Sequence, residues 1–336
     1  SNFVAGVNAG NSIVSGGNNN TLVGDEAGTA ITTGDDNTAV GKSALDSNTT
    51  GLSNTAVGML CLDENSTGNY NTAIGKQALG NNTTASSNTA VGFWSLLTNT
   101  TGAENTAVGK SALGSNTTAS YNVAVGQGAG DAITTGNYNT AIGRSALTSL
   151  TTNAANTAVG GSALASNTAA NNTAVGYNSL TANTSGTENT AVGFQTLMTQ
   201  SSNGYMNTAV GYQAGRLNTS GESLTAIGFK ALEANTTGDG NTAVGQQALV
   251  ANTTGTENTA TGKGALQANT TASYNTSVGS GALGDTTTGA SNTAVGRAAL
   301  NKNTTASENV AVGYNSLTAN TTGPNNTAIG FGSARA

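Results

Sequence analysis

The chain of 336 residues contains no His, which removes the commonest general base and the commonest transition-metal ligand. Its single cysteine, Cys61, has no partner for an internal disulfide. It stands where the surrounding pattern usually has Ala, so it reads as a small buried hydrophobe rather than a nucleophile. Acidic pairs at Asp35-Asp36 and Asp63-Glu64 have the residue type for acid–base work. Isolated as they are, solvated corners account for them. The Gly-rich segments lack the Lys-Ser/Thr that completes a phosphate-binding loop, and no calcium-type nonapeptide appears. These observations predict no enzyme, no cofactor and no metal site. The residues with most ligand character are aromatic: Tyr177, Phe194, Tyr212 and Phe229 recur at a nearly constant spacing. If their ring faces are open, such a ladder would stack sugars.

That spacing belongs to a repeat that runs from end to end. The anchor is Asn-Thr-Ala-Val-Gly, with its Asn at 20, 37, 54, 71, 88 and onward to 326; Asn2 opens a divergent first copy (2–19), and Leu224 takes the Asn place once. Most anchors follow one another as 37 follows 20; the interval from 156 to 172 is one residue shorter, and those from 2 to 20 and from 189 to 207 are one longer. The consensus is N-T-A-V-G-x-x-A-L-x-x-N-T-T-G-x-x, and its positions are called places 1 to 17. Gly at places 5 and 15 supplies corners where φ can be positive. Neither intervening segment is long enough for a stable helix. The period predicts an all-β fold, a parallel β-solenoid with one coil per repeat, about 20 coils in a single domain over 1–336. Coils stacked ~4.8 Å apart would form a rod of roughly 90 Å.

Place 4 is Val or Ile in 18 of 20 copies, with Ala5 and Thr261 the exceptions. With place 9, usually Leu, it is expected to form the core ladders, including Val40, Val57, Ile74 and Val91 alongside Leu45, Leu79 and Leu113. Where Gly10, Gly28, Gly130 and Gly215 replace the Leu, a large apolar residue follows closely: Ile13, Ile31, Ile133 and Leu217. Refilling of one cavity explains that coupling. Adjacent strand residues point to opposite faces, so Ala at place 3 (17 of 20 copies) is expected outside, against a neighbouring chain. Asn at place 1 (Asn37, Asn54, Asn71, Asn88) and at place 12 (Asn48, Asn82) is expected to stack in amide ladders along the axis.

The remaining residues at place 6 mix bases with aromatics. A competing and favoured account of this row has the rings packing at corners or across subunits, and the bases pairing with acids near place 17, such as Glu104. Charged residues are only 8% of the chain and the net charge is −6. That excludes a nucleic-acid footprint and a polybasic membrane anchor. No apolar run approaches the ~20 residues of a membrane span.

Runs such as residues 105–122 and 241–258, NTAVGxxALxxNTTGxxN, resemble the repeats of bacteriophage-type tail-fibre proteins. More loosely, they are similar to the head repeats of trimeric autotransporter adhesins (YadA-like), built on an S-V-A-I-G-type strand. The resemblance covers essentially the whole chain. It implies a left-handed parallel β-roll assembled as a homotrimer, extracellular or carried on a virion. The departures are a longer repeat than the adhesins have and no visible coiled-coil stalk, membrane-anchor barrel or chaperone domain. The expected function is a structural fibre shaft or adhesin rod, with a host-surface glycan or receptor as a further partner. Coils without polar caps predict that more chain, or end-to-end assembly, covers the ends. The alternative is an ice-binding solenoid presenting a Thr-x-Val ladder, if places 2 and 4 face outward.

Overall fold

The computed structural model describes residues 1–201 and 203–334. Among the described residues the regular structure is twenty three-residue strands, one per repeat, and no helix. The strands fall in two compact units, Ser1–Ala170 and Asn171–Ala336, dividing inside the one shortened interval. The first holds β1 (Phe3–Ala5) to β10 (Thr157–Val159), the second β11 (Thr173–Val175) to β20 (Thr327–Ile329). Within each unit every strand pairs in parallel with the next, place against place: Thr38 opposes Thr55, Ala39 opposes Ala56, Val40 opposes Val57. Each unit is therefore a stack of parallel β-solenoid coils.

The hydrogen bonds between coils run around the perimeter. The strand contributes bonds such as Gly41 N–H to the Val23 carbonyl (2.8 Å), the turn Leu45 N–H to Cys61 (3.0 Å), and place 13 Thr49 N–H to Ser66 (2.9 Å). The turn is what the sequence pattern least reveals. Leu at place 9 has φ near +50° (Leu45 +55°, Leu79 +51°, Leu113 +50°), and places 7 and 17 are also left-handed, as at Ser43 and Asp36. Gly at place 5 is extreme (Gly41 +134°, Gly109 +133°), and is Gly in all 20 copies. Place 15, the other expected positive-φ corner, is not one: Gly51 and Gly102 are absent from the positive-φ residues.

These dihedrals correct the inside–outside assignment. The middle residue of each three-residue strand, Ala39, Ala56, Ala73 or Ala90, is completely buried, and its neighbours face out. Val40 and Val91 are therefore half-exposed, and Val57 and Ile74 are exposed at 36% and 41%, outside the core to which the pattern assigns them. The Ala row, expected against another chain, lines the interior instead. Ala at place 8 and Leu at place 9 both point inward, because a left-handed Leu breaks the alternation that an extended strand would impose. Leu45, Leu79 and Leu113 are fully buried and fill the space that the small Ala side chains leave.

The Gly substitutions at place 9 show how tightly that space is filled. A Cβ built on Gly28 would lie 2.8 Å from Ile31 Cδ1 and 2.8 Å from Leu22 Cδ2. Leu22 is the one Leu at place 3, so volume lost at place 9 is regained both at place 12 and from the opposite wall. Ile13 and Ile133 approach Gly10 and Gly130 in the same way, each at 3.0 Å. Leu217 does not: it is half-exposed, and the room at Gly215 is taken by Leu197 of the preceding coil, 2.8 Å from the built Cβ.

The rest of the interior is polar, and most of its amide groups are hydrogen-bonded. Asn54 N–H donates to Asn37 Oδ1 at 3.0 Å, Asn71 to Asn54 and Asn88 to Asn71 at the same distance. In most coils the place-1 Nδ2 donates to the place-15 carbonyl of its own coil, as Asn37 does to Gly51 (2.9 Å). At place 12, Asn65 Nδ2 donates to Asn48 Oδ1 (2.9 Å) and Asn82 to Asn65 (2.8 Å). Asn48 and Asn82 also donate to Gly51 and Ala85 carbonyls. Where Ile133 replaces Asn in the next coil, Asn116 Oδ1 is left buried without a donor.

Candidate functional site

Place 6 follows the positive-φ Gly of place 5 (Gly176 +135°, Gly193 +137°), which turns the chain outward, so its side chains stand clear of the core. In the second unit Tyr177, Phe194, Tyr212 and Phe229 form one stack, with centroids 5.8, 5.3 and 5.4 Å apart and planes within 18° of parallel. Lys230 Nζ lies 5.8 Å from the Phe229 centroid. The rings are 40–54% exposed, and the two inner ones, Phe194 and Tyr212, have a ring neighbour on both sides. A sugar stacks on a ring face, and both faces of Phe194 and Tyr212 are already covered by neighbouring rings. The inner rings of the row form a self-stacked aromatic ladder.

The bases of this row do not use place 17 either. Lys42 sits 3.6 Å from Asp25, also at place 6; outside the row, Lys230 at place 7 and Arg216 at place 10 both meet Glu233, at 3.1 and 3.2 Å. Glu104 makes no ion pair among the described residues. Lys110 instead lies over the Phe93 ring at 6.0 Å.

Of the acidic pairs, Asp35-Asp36 is hydrogen-bonded to the neighbouring coil, and the cysteine is buried. Asp35 Oδ1 accepts from Asn18 N–H (2.7 Å) and Asp36 Oδ1 from Asn19 Nδ2 (3.1 Å), tying corners of adjacent coils. Cys61 Sγ lies 3.0 Å from the Gly58 carbonyl, and burial pushes its thiol up to about 12. It therefore stays protonated at neutral pH and lacks the thiolate a nucleophile needs. Asp63 is pushed up from 3.8 to about 6 by burial, with Glu64 and Asp46 adding repulsion. The folded state thus holds its proton more tightly than the unfolded chain does. Stability from this group is present below about pH 4 and lost as pH rises through 6. Asp63→Asn should stabilise the first unit at pH 7 by about 1 kcal/mol after solvent screening, and by nothing at pH 4. Denaturant melts at the two pH values check both. Among the described residues no group of three or more His, Cys, Asp or Glu could hold a metal ion.

The largest continuous feature is the outer strand face. Thr at place 2 and Val or Ile at place 4 lie side by side on every regular coil, half-buried at place 2 and half-buried or exposed at place 4, with no charge between them. Within each unit they form a regular lattice, ~4.8 Å between coils and ~7 Å along the strand. The sequence pattern assigns Val to the interior because β-branched apolar residues usually lie there. The signal that identifies the inward residue is size: only Ala at place 3 leaves room for Leu at place 9. No family model matches the chain, and no curated protein matches it.

Proposed function

We propose that this chain is a non-enzymatic structural shaft, extracellular or carried on a virion, in which left-handed β-rolls associate as a homotrimer through their Thr-x-Val faces. The observation that carries this is the outward row of Val and Ile. A solvated sheet face favours polar residues opposite the core, and 18 of 20 apolar β-branched residues at place 4 depart from that. A uniform, charge-free surface that repeats along the stack suits a surface with the same repeat, which another copy of the chain supplies. Stacked coils bonded around their whole perimeter suit a stiff, protease-resistant spacer. The aromatic row gives no support to attachment through stacked sugars.

Light scattering should return a native mass of three chains. Ile74→Lys with Val91→Lys places like charges on the buried faces and should release single chains with unchanged far-ultraviolet circular dichroism. A single-chain mass for the unaltered protein would overturn the assembly. A second reading draws on the same observation: a regular outward Thr-x-Val lattice is also the surface an ice-binding solenoid presents. The interior of Ala, Leu and Asn is complete without Val, which removes the main objection to it. A single-chain protein showing thermal hysteresis would favour that reading, and a trimer showing none would dismiss it.

A further inference from the structure

The second unit carries a polar cleft of about 290 Å³ at the turn. Three glycines create it. Place 7 holds a side chain in most coils, Ser43, Gln77 or Gln247 for example, but Gly264 and Gly281 in two successive ones, and Gly284 stands nearby at place 10. A Cβ on Gly281 would meet only Asn301 Nδ2, at 3.5 Å. Around the space stand Gln247, Lys263, Gln267, Ser280, Asp285 and Asn301.

Their hydrogen-bonding state indicates the chemistry that would fit. Lys263 makes no ion pair among the described residues, and the Gln247 and Gln267 amides make no side-chain hydrogen bond there. Asn301 Nδ2 donates to the Gly281 carbonyl (2.7 Å), which leaves its amide oxygen to accept. Asp285 is already paired with Lys302 at 2.9 Å. With Lys263 and Lys302 set against Asp285, the mouth carries one net positive charge on a chain whose total is −6. The glycine amides are not free to cradle a phosphate: Gly264 N–H donates to Gln246, Gly281 to Lys263 and Gly284 to Gly281. No aromatic ring lines the space, so a nucleobase has nothing to stack on. The volume equals on the order of ten waters, enough for one sugar ring. Amide donors and acceptors around one unpaired ammonium fit hydroxyl groups around one carboxylate.

We propose that this cleft binds a carboxylate-bearing sugar residue of the uronic-acid class, its carboxylate on Lys263 and its hydroxyls on Gln247, Gln267 and Asn301. The site lies within one chain, so it stands or falls apart from the shaft reading.

The test titrates methyl β-glucuronide and methyl β-glucoside into the full chain, followed by NMR chemical shifts. The glucuronide should saturate and bind about tenfold more tightly than the glucoside, the effect of one charged hydrogen bond. Lys263→Gln should bring the two sugars level. Gly264→Gln with Gly281→Ser refills the cleft with residues that place 7 already carries at the same φ, as at Gln247 (+58°) and Ser43 (+51°). That variant should lose both sugars and keep the melting temperature. Absence of saturation, unchanged glucuronide binding in Lys263→Gln, or displacement by equimolar acetate, which marks a plain anion site, would each overturn the proposal.

Discussion

Gly109→Ala should open the coil it belongs to, while Gly102→Ala, in the corner just before it, leaves its coil intact. A Cβ on either clashes with the next coil: it would lie 2.6 Å from the Gly126 carbonyl oxygen in the first case and 2.1 Å from that of Ala119 in the second. Distance alone ranks Gly102 as the worse site. The repeat itself shows otherwise, because Ala already occupies the same place at Ala85, Ala119, Ala272 and Ala306. The backbone at place 15 can shift to admit a methyl group; at place 5 it cannot. Gly109 has φ +133°, where an L side chain strains the backbone itself, and the obstructing atoms are backbone of the adjacent coil. Strain and overpacking together should cost about 3 kcal/mol or more at Gly109 and under about 1 kcal/mol at Gly102. Stacked repeats need not melt as one unit, so amide hydrogen exchange in β7 (Thr106–Val108) is the sharper readout. Equal protection loss in the two variants would show that contact, and not φ, decides which glycines are fixed.

The same contrast explains what the sequence disclosed and what it concealed. Period, parallel stacking and the number of coils follow from the anchor spacing, because nothing else repeats a strand at so short an interval without a helix. Burial of Leu at place 9 was visible in its coupling to Ile31 and Ile133. The sidedness of the strand was not. Alternation says only that places 2 and 4 share a face opposite place 3, and either face could have been the inner one. What decides it is the left-handed backbone at places 7 and 9, which no residue type announces: Leu is ordinarily among the last residues expected at positive φ. Once Leu45 turns inward there, the narrow interior has room for Ala39 and none for Val40. The aromatic row was legible as a row, but its chemistry was not. Whether rings offer faces or edges depends on the spacing of the coils that carry them, and at 5.3–5.8 Å the rings of Phe194 and Tyr212 find each other first. The cleft beside Lys263 was hidden in the place-7 glycines, which look like ordinary turn residues until the side chains missing from them are counted.

The Asn ladder gives the other large effect, and one whose pH dependence identifies its cause. Asn88 is fully buried; its Oδ1 accepts from Asn105 N–H (2.9 Å) and Asn105 Nδ2 (3.1 Å), and its Nδ2 donates to the Gly102 carbonyl (2.9 Å). The polarity is directional, with each amide oxygen serving the coil that follows. Leu224 therefore interrupts the ladder on one side only: its N–H still donates to Asn207 Oδ1 at 2.9 Å, but it offers Asn241 no acceptor. Asn88→Ala should behave like that interruption, leaving Asn105 N–H unpaired at a cost of about 1–3 kcal/mol at every pH. Asn88→Asp keeps an acceptor for Asn105 but aims a second oxygen at the Gly102 carbonyl. Ionised and buried, that carboxylate should destabilise the coil by about 3 kcal/mol or more at pH 7. Burial raises the folded-state pKa of such a group above its unfolded value. Protonation then restores a donor toward Gly102, so the stability is present at low pH and lost as pH rises through the folded pKa. Denaturant midpoints for the two variants should therefore cross: Asp below Ala at pH 7, Asp above Ala near pH 3. Parallel profiles would mean that solvent reaches place 1 and that the ladder holds the coils together by shape alone, without the hydrogen bonds drawn through it.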